Sequence, residues 1–271
     1  MDFQSVIESI GRSAKVQRIA ISSQKGGVGK TTTCISLGAS LAEAGARVLL
    51  VDLDPQANLT QAFGVEPDTL RHSVGEALLL QASLLEVSRE TAIFNLDLVP
   101  ANRGLILVER MLHLTKGYET RLQTAFEALE GEYYDIVLFD CPPSFGPLTI
   151  NALTAAGLVL VPITCDYFSH QSVHAFLNLM DMVRRNTNPS IRHRMLVTMY
   201  DGRVRLSKLF LEQYRQKYGP LLFDTVIPID SKLRESALFG RPVTLFANKA
   251  RSAHEYRALA RELSSCLEVT I

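Results

Sequence analysis

The segment GGVGKTT, residues 26–32, constrains this chain more than any other stretch. It follows the short apolar run RIAIS and precedes a helical pattern, in which Ile35, Leu37 and Leu41 recur on one side before Gly45. A glycine-rich turn between a strand and a helix directs backbone N–H groups and the positive end of the helix dipole at phosphate. We therefore predict a phosphate-binding loop formed by Gly26, Gly27, Val28, Gly29, Lys30, Thr31 and Thr32.

Charged and hydroxyl side chains near this loop predict the chemistry of a nucleotide site. Lys30 would neutralise charge on the β- and γ-phosphates, and the Thr31 hydroxyl would ligate Mg²⁺. Carboxylates follow two apolar runs, with Asp52 and Asp54 in VDLDPQAN and Asp140 in VLFDCPPS. At the carboxyl edge of an open α/β sheet, one carboxylate can serve the metal and another can orient a water. The alternative for Asp54 is that it caps its own turn.

Apolar runs bounded by turn residues recur along the whole chain. They are nearly continuous rather than alternating, as expected of parallel strands covered on both faces. The seven predicted strands are 18–22, 47–53, 96–100, 134–140, 157–163, 194–200 and 224–228. Helical patterns lie between them, so we predict a doubly wound α/β fold, with a mostly parallel central sheet flanked by helices on both faces.

Residues 1–16 precede the first predicted strand. Phe3, Val6 and Ile10 fall at i, i+3 and i+7, which predicts an N-terminal amphipathic helix. We expect this helix to cover part of the sheet, with partner docking or a dimer contact as the open alternative. The other residues, 17–271, are predicted to form a single domain, because a chain of 271 residues suits one large α/β domain.

The composition excludes several classes of protein. Hydrophobic residues make up 47% and charged residues 21%, as in an ordinary globular protein. No run approaches 18 uncharged apolar residues, and the N-terminus is acidic where a secretory leader is positive, so we expect a cytoplasmic protein with no membrane partner. The four cysteines form no C-x-x-C pair, which argues against zinc or a metal cluster.

The net charge of zero hides an uneven distribution. Residues 50–150 carry 15 acidic and 6 basic side chains, a net charge of −9, whereas residues 184–257 carry 15 basic and 6 acidic side chains, a net charge of +9. This asymmetry indicates a polyanionic partner, unless folding interleaves the two halves and cancels the field.

Several motifs together resemble one known family. KGGVGKTT resembles the deviant Walker A motif of the ParA/MinD ATPases, VDLDPQAN their A′ motif and VLFDCPPS their Walker B motif. The segments 198–203, 226–243 and 253–262 are similar to the ParA branch in particular, and the similarity runs from Arg18 to Leu267. The resemblance implies an ATPase that uses ATP and Mg²⁺, and the guanine-reading pattern N-K-x-D is absent from the sequence.

The resemblance also implies roles for individual residues. In this family ATP closes two subunits into a homodimer with nucleotide sandwiched between them, and the early lysine of the loop, here Lys25, reaches the partner's phosphates while Lys30 serves its own. We therefore expect Lys25 to project outward. Asp54 matches the aspartate that positions or activates the attacking water, and Asp140 matches the residue that reaches Mg²⁺ through water. Asp52 is expected to lie behind the residues that hold Mg²⁺ and not to contact the metal itself.

Non-specific double-stranded DNA is the next implied partner. Arg203 in DGR and Lys232 in SKLR match regions that carry DNA-binding residues in ParA relatives, with Arg205, Arg234 and Arg241 as neighbours. Contacts from such side chains to phosphate are independent of sequence and depend strongly on salt. For each of them, a solvated surface charge is the alternative.

The implied function is an ATP-dependent partition or positioning ATPase that associates with the nucleoid. A ParB-like partner would stimulate hydrolysis, and the cargo could be a chromosome, a plasmid, or a protein assembly such as a microcompartment or chemoreceptor cluster. A MinD-like membrane switch is the rival, but it uses a basic amphipathic C-terminal helix, and RELSSCLEVTI has two acids against one base. Two positions depart from the usual pattern: Asp166 replaces a typical glutamate-bearing sequence, and Leu238 a small polar residue.

Overall fold

A computed structural model describes residues 16–80, 82–127 and 133–268. The predicted N-terminal helix falls on residues 1–15 and so lies outside the described residues. Within the described part, one sheet is formed by the strands β1 (Gln17–Ile21), β2 (Val48–Asp52), β3 (Arg89–Glu90), β4 (Leu96–Val99), β5 (Ile136–Asp140), β6 (Leu158–Thr164), β7 (Arg192–Tyr200) and β8 (Leu222–Pro228). Their order in the sheet is β3-β4-β2-β5-β1-β6-β7-β8.

The predicted fold class is confirmed. All seven predicted strands are present, each end within two residues of the prediction, and they pair in parallel. The eighth strand, β3, was not predicted. It consists of two exposed charged residues that pair antiparallel with β4 at the edge of the sheet, so no apolar run marks it.

Helices connect the strands on both sides of the sheet. In the described residues they are α1 (Lys30–Glu43), α2 (Asn58–Ala62), α3 (Val74–Leu80), α4 (Leu84–Val87), α5 (Leu105–His113), α6 (Arg121–Glu127), α7 (Pro147–Ala155), α8 (Tyr167–Asn186), α9 (Arg205–Tyr218), α10 (Ser231–Leu238), α11 (Val243–Phe246) and α12 (Arg251–Glu268). Short 3₁₀ turns occur at Pro67–Thr69, Tyr118–Thr120 and Gly219–Leu221.

Both faces of the sheet are buried, which explains the nearly continuous apolar runs. Successive strand residues point to opposite faces, so Ile21 and Ala20 belong to two different core clusters. Leu37 of α1 and Leu259 of α12 pack in the cluster of Ile21. Met180 of α8 packs in the cluster of Ala20. Because each face needs apolar side chains, the strands show no polar alternation.

Parallel pairing brings the carboxyl ends of the central strands to one edge. In the register of the sheet, Asp140 at the end of β5 lies beside Ile21 of β1 and beside Asp52 of β2. The loop that follows β1 and the aspartates that end β2 and β5 therefore share this edge, where ligands bind in open α/β sheets.

Candidate nucleotide-binding site

The glycine-rich loop leaves its backbone donors unused. Gly27 and Gly29 have φ angles of 72° and 85°, in the left-handed region that favours glycine, and a Cβ built on either would meet no atom within 4 Å. The first turn of α1 has no side-chain cap. The N–H groups of Gly27, Val28, Gly29 and Lys30 donate to none of the residues that the structure describes. Unused N–H groups at a helix N-terminus are the arrangement that binds phosphate oxygens.

Lys30 lies beneath the loop with its side chain 8% exposed. Its Nζ donates to the carbonyl oxygen of Lys25 at 3.3 Å. Burial lowers the pKa of Lys30, and the nearby Asp140 carboxylate opposes that effect. The lysine is thus a desolvated cation beside the phosphate loop, where its charge acts more strongly than in water.

The carboxyl group of Asp140 is 1% exposed, and neither oxygen makes a hydrogen bond of ordinary geometry with a described residue. Burial, and then the Asp52 carboxylate, raise the pKa of Asp140 well above its usual value, while the Thr31 hydroxyl and Lys30 oppose the rise. A buried carboxyl without a partner is costly in isolation. Its oxygens fit a hard divalent cation such as Mg²⁺.

The donor set suits a metal that is shared with phosphate. Across residues 16–80, 82–127 and 133–268, no cluster of three or more His, Cys, Asp or Glu side chains could hold a metal ion alone. Magnesium in nucleotide sites takes one or two protein ligands and completes its shell with phosphate oxygens and water. Thr31 and Asp140 can supply those protein ligands.

Asp52 is fully buried at the end of β2, and hydrogen bonds occupy both of its oxygens. Oδ2 accepts from the backbone N of Thr60 (2.9 Å) and from its Oγ1 (2.6 Å), and Oδ1 accepts from the N of Asp54 (3.1 Å). Burial raises the pKa of Asp52 to about 6, although the bonds from Thr60 lower it. Thr60, which sequence reasoning missed, also accepts from the N of Ala101 at 2.9 Å. Asp52 thus fixes the segment that carries Asp54.

Asp54 is half-buried and shows the turn-capping contact that the sequence left open. Its Oδ1 accepts from the backbone N of Gln56 at 2.9 Å. Its Oδ2 has no hydrogen-bond partner within the described part of the chain. The two interpretations use different oxygens, so capping leaves Oδ2 available to orient a water.

Lys25 does not project outward as expected. Its Nζ donates to Oδ2 of Asp166 (2.6 Å), to Oγ1 of Thr164 (3.0 Å) and to Oγ of Ser169 (3.3 Å). The expectation is wrong for this conformation because β6 lies beside β1 in the sheet. The end of β6 and the start of α8 therefore bring Thr164, Asp166 and Ser169 within reach of the loop. Partial burial tends to raise the pKa of Asp166. The hydrogen bonds from Lys25 and Thr164 outweigh this effect and lower the pKa below its usual value.

Two cavities flank the first turn of α1. One has a volume of about 690 Å³ and is lined by Thr31 and Thr32. Its lining also includes Asn58, Leu238 and Arg241. Leu238, which departs from the family pattern, therefore stands at the mouth of this cavity and is 82% exposed. Both cavities lie next to the loop, so each can receive part of a nucleotide.

The other cavity, of about 220 Å³, lies between the loop and the ends of β7 and β8. Gly29, Thr32, Met199 and Pro228 are among its lining residues. Met199 has a φ of 52°, which residues other than glycine rarely adopt, so the backbone is strained at the rim of a cavity. The neighbouring Thr198, also missed by sequence reasoning, donates from Oγ1 to the carbonyl oxygen of Val28 at 2.8 Å and ties β7 to the loop.

The candidate DNA-binding residues differ in how far their charge is neutralised. Arg203 is 88% exposed but makes a bidentate pair with Asp201, with Nε–Oδ1 at 2.9 Å and Nη2–Oδ2 at 2.8 Å. Lys232 Nζ lies 2.5 Å from Oε2 of Glu235. The remaining candidates, which are exposed and form no ion pair with a described residue, are Arg205, Arg234 and Arg241.

These basic residues follow β7 and β8, at the same edge as the nucleotide loop. A hydrogen bond from the N of Ile229 to the O of Tyr200, at 3.0 Å, joins the two segments. Phosphate groups, a divalent cation and an attacking water can all be held along this edge. By fold and by site, the chain is a P-loop nucleoside triphosphatase.

Comparisons with known proteins define the family. A family model described as an AAA domain matches residues 16–193. The chromosome-partitioning ATPase Soj of Thermus thermophilus is 44% identical over 92% of this chain and 96% of its own length. The sporulation initiation inhibitor protein Soj of Bacillus subtilis is 39% identical over 91% of this chain and 98% of its own. The chain belongs to the ParA/Soj-type family of partition ATPases.

A solved structure shares both fold and sequence. It is named cobyrinic acid a,c-diamide synthase from Mycobacterium smegmatis and carries an ATP analog and magnesium. Its identity to this chain is 38%, its TM-score is 0.80, and the match covers 94% of this chain and 96% of that one. Its name denotes a reaction other than partition.

No helix in the described residues is long and apolar enough to cross a membrane.

Proposed function

We propose that residues 17–271 act as one ATPase domain that partitions DNA. The protein closes an ATP-sandwich homodimer, binds DNA without sequence preference, and hydrolyses ATP when a ParB-like partner stimulates it, so that chromosome or plasmid copies separate. The carrying observation is a loop with two lysines, Lys25 at its mouth and Lys30 beneath it, above the aspartates of β2 and β5. The identity with Soj proteins over nine-tenths of the chain supports the same function.

ATP and Mg²⁺ are the cofactors. Gly26 to Thr32 bind the phosphates, and Thr31 and Asp140 hold Mg²⁺, Asp140 through a water. When bound, Mg²⁺ would supply positive charge that offsets the charge developing on the phosphates during hydrolysis. The buried oxygens of Asp140 support this assignment, because they accept no hydrogen bond of ordinary geometry from the part of the chain that the structure describes. Asp52 stays behind the site because its own hydrogen bonds are satisfied.

Hydrolysis depends on three side chains in this proposal. Asp54 orients the attacking water with Oδ2, and Lys30 neutralises the phosphates of its own subunit. Lys25 of one subunit reaches the phosphates bound by the other, where its charge stabilises the transition state. Hydrolysis is therefore conditional on dimerisation.

Three variants test this scheme through light scattering with ATP and through phosphate release. Lys30→Ala should bind ATP poorly. Lys25→Ala should bind ATP as a monomer without closing the dimer. Asp54→Ala should accumulate as an ATP-bound dimer with turnover reduced about 100-fold or more. Lys249→Ala, at an exposed lysine outside the site, is the control. Normal dimerisation and turnover in Lys25→Ala would refute the trans role.

DNA binding belongs to the ATP-bound dimer in this proposal. The basic side chains that follow β7 and β8 support it, because they share one edge and three of them form no ion pair with a described residue. Retention on DNA of unrelated sequences should require ATP and fall steeply with salt. Retention that is insensitive to both would contradict the DNA function.

The partner that stimulates hydrolysis determines which cargo the protein moves and where in the cell it acts. We propose a nucleoid-associated protein in the cytoplasm whose ATPase is stimulated by a ParB-like DNA-binding protein. The alternative is ParA-like positioning of a protein assembly, such as a microcompartment or chemoreceptor cluster, and stimulation by an adaptor of that assembly instead would favour it. A MinD-like membrane switch predicts ATP-dependent sedimentation with anionic vesicles, which we do not expect.

A further inference from the structure

A second cavity lies at the edge of the sheet opposite the nucleotide loop, where β6 and β7 begin. Its volume is about 410 Å³, within the range of small-ligand sites. Leu158 and Leu221 are among its apolar lining residues. Its basic lining residues are Arg184, Arg192, His193 and Arg194. From Arg192, β7 runs roughly 20 Å before it reaches the nucleotide edge at Thr198, so the cavity is separate from the nucleotide site.

The imidazole of His193 has a donor without an acceptor. Its Nδ1 lies 3.1 Å from Nη2 of Arg184. A guanidinium can only donate, so Nδ1 accepts and the proton of the neutral ring is on Nε2. Burial, and then the charge of Arg184, lower the pKa of His193, which keeps the ring neutral at pH 7. Nε2 is buried and has no hydrogen-bond partner in the part of the chain that the structure describes. Such a donor costs free energy until an acceptor reaches it.

The three arginines of the cavity are neutralised to different degrees. Nη1 of Arg184 donates to Oδ1 of Asp181 at 3.1 Å, and Nη2 of Arg194 lies 3.6 Å from Oε1 of Glu262. Arg192 is exposed and forms no ion pair with a described residue. Three positive and two negative charges leave a net charge of +1 on these arginines and their partners. The cavity therefore has one positive charge to offer a ligand.

We propose that this cavity binds a small organic carboxylate. The carboxylate accepts from Arg192, from the Nε2–H of His193 and from Arg184, which has two of its five N–H donors left over from its contacts with described residues. The apolar body of the ligand packs against Leu158 and Leu221. A monoanion balances the net positive charge, and the planar guanidinium matches the two oxygens of a carboxylate.

NMR of the histidine side chains tests the site in the full chain. Saturating Mg-ADP fills the phosphate loop, so that benzoate, the probe, reports on the other edge. Benzoate at constant ionic strength should shift the His193 signal saturably, with a Kd on the order of 1 mM. The absence of that signal in His193→Phe assigns it. The signal of the exposed His72, which lies outside the cavity lining, should not move. Benzamide has a similar shape without the charge and should cause no saturable shift.

Arg192→Ala should weaken benzoate binding about fivefold, as expected for the loss of one exposed charged hydrogen bond. Arg192→Lys keeps the charge and should lose less. Arg185→Ala is the matched control, because it removes an exposed arginine of α8 that lies outside the cavity lining. It should bind benzoate like wild type.

Four results would overturn this inference. They are the lack of a saturable shift of the His193 signal, an equal response to benzamide, equal weakening by Arg185→Ala and Arg192→Ala, and tighter binding of phenyl phosphate than of benzoate. The last would show that the head group is a phosphate. None of these results bears on the proposed function, because ADP occupies the nucleotide site throughout and the cavity lies at the other edge of the sheet.

Discussion

Asp52 and Asp140 lie side by side in adjacent strands, and both carboxyl groups are almost completely buried. Burial raises the pKa of Asp140 well above its usual value, and the charge of Asp52 raises it further. Burial likewise raises the pKa of Asp52 to about 6. Two acids in this position cost stability when they ionise, so this edge of the sheet is arranged for a ligand rather than for the isolated fold.

This pair predicts an unusual pH dependence of stability. An aspartate in the unfolded chain has a pKa of about 3.9, so between about pH 4 and 6 the folded protein retains a proton on Asp52 that the unfolded chain has released. The contribution of Asp52 to the free energy of unfolding is fully present below about pH 4 and is lost as the pH rises through 6. This loss is about 3 kcal/mol. Asp140 extends the loss to higher pH. Urea unfolding without nucleotide, in steps from pH 4.5 to 7.5, measures it.

Asp140→Asn is the matched variant for this prediction. It should reduce the fall in the free energy of unfolding above pH 5 and stabilise the nucleotide-free protein at pH 7, while ATP hydrolysis is lost. Asp181→Asn, at an acid that is 57% exposed, should keep the wild-type slope. An Asp140→Asn curve that parallels wild type would show that this carboxyl does not titrate as its burial requires.

Thr198→Val tests the link between β7 and the phosphate loop. The substitution removes the hydroxyl that donates to the Val28 carbonyl at 2.8 Å and leaves that oxygen without this partner. The free energy of unfolding should fall by about 1–2 kcal/mol. ATP affinity, measured by calorimetry, should fall about fivefold because the loop loses an anchor.

Thr154→Val is the control for this change. Thr154 is also buried, and its hydroxyl contacts that of Thr187 at 2.9 Å, away from the loop. It should lose stability with no loss of ATP affinity. Equal affinity losses in the two variants would attribute the effect to general destabilisation.

The sequence predicted the elements of this site better than their long-range contacts. The strands were predicted because burial on both faces leaves long apolar runs. Thr60 and Thr198 gave no signal, because the sequence around a single hydroxyl looks the same whether or not that hydroxyl anchors a distant group. Asp166 stood out as a departure from the family pattern, but its contact with Lys25 spans 141 residues and needs β6 beside β1. Local pattern does not encode that neighbour.

Gly29→Ala should affect both stability and nucleotide binding. With a φ of 85°, an alanine here would hold a left-handed conformation that costs about 1–2 kcal/mol, or the loop would rearrange and turn its N–H groups away from phosphate. Gly157→Ala is the matched control, since Gly157 has no positive φ and a Cβ there would meet its nearest atom at 3.9 Å. Thermal melting and ATP binding should distinguish the two. Unchanged ATP binding in Gly29→Ala would argue against a conformationally fixed loop.

The ion pairs rank the candidate DNA-binding residues in a way that the sequence could not. Alanine at Arg205, Arg234 or Arg241 should each weaken DNA binding and reduce the slope of log affinity against log salt by about 1. Arg203→Ala should have a smaller effect, because Arg203 must leave Asp201 before it can contact phosphate. Titration of the ATP-bound dimer on DNA at several salt concentrations compares them.

Asp201→Asn should increase DNA affinity. Hydrogen bonds from Arg203 lower the pKa of Asp201 to about 2, so the aspartate is ionised at any working pH and neutralises the arginine beside the proposed DNA surface. Removing its charge should free Arg203, raise DNA affinity and steepen the salt dependence by about 1. Asp224→Asn removes an equal charge within β8 and should change neither. If both variants bind DNA like wild type, DNA does not approach Arg203, and the surface must centre on Arg205, Arg234 and Arg241.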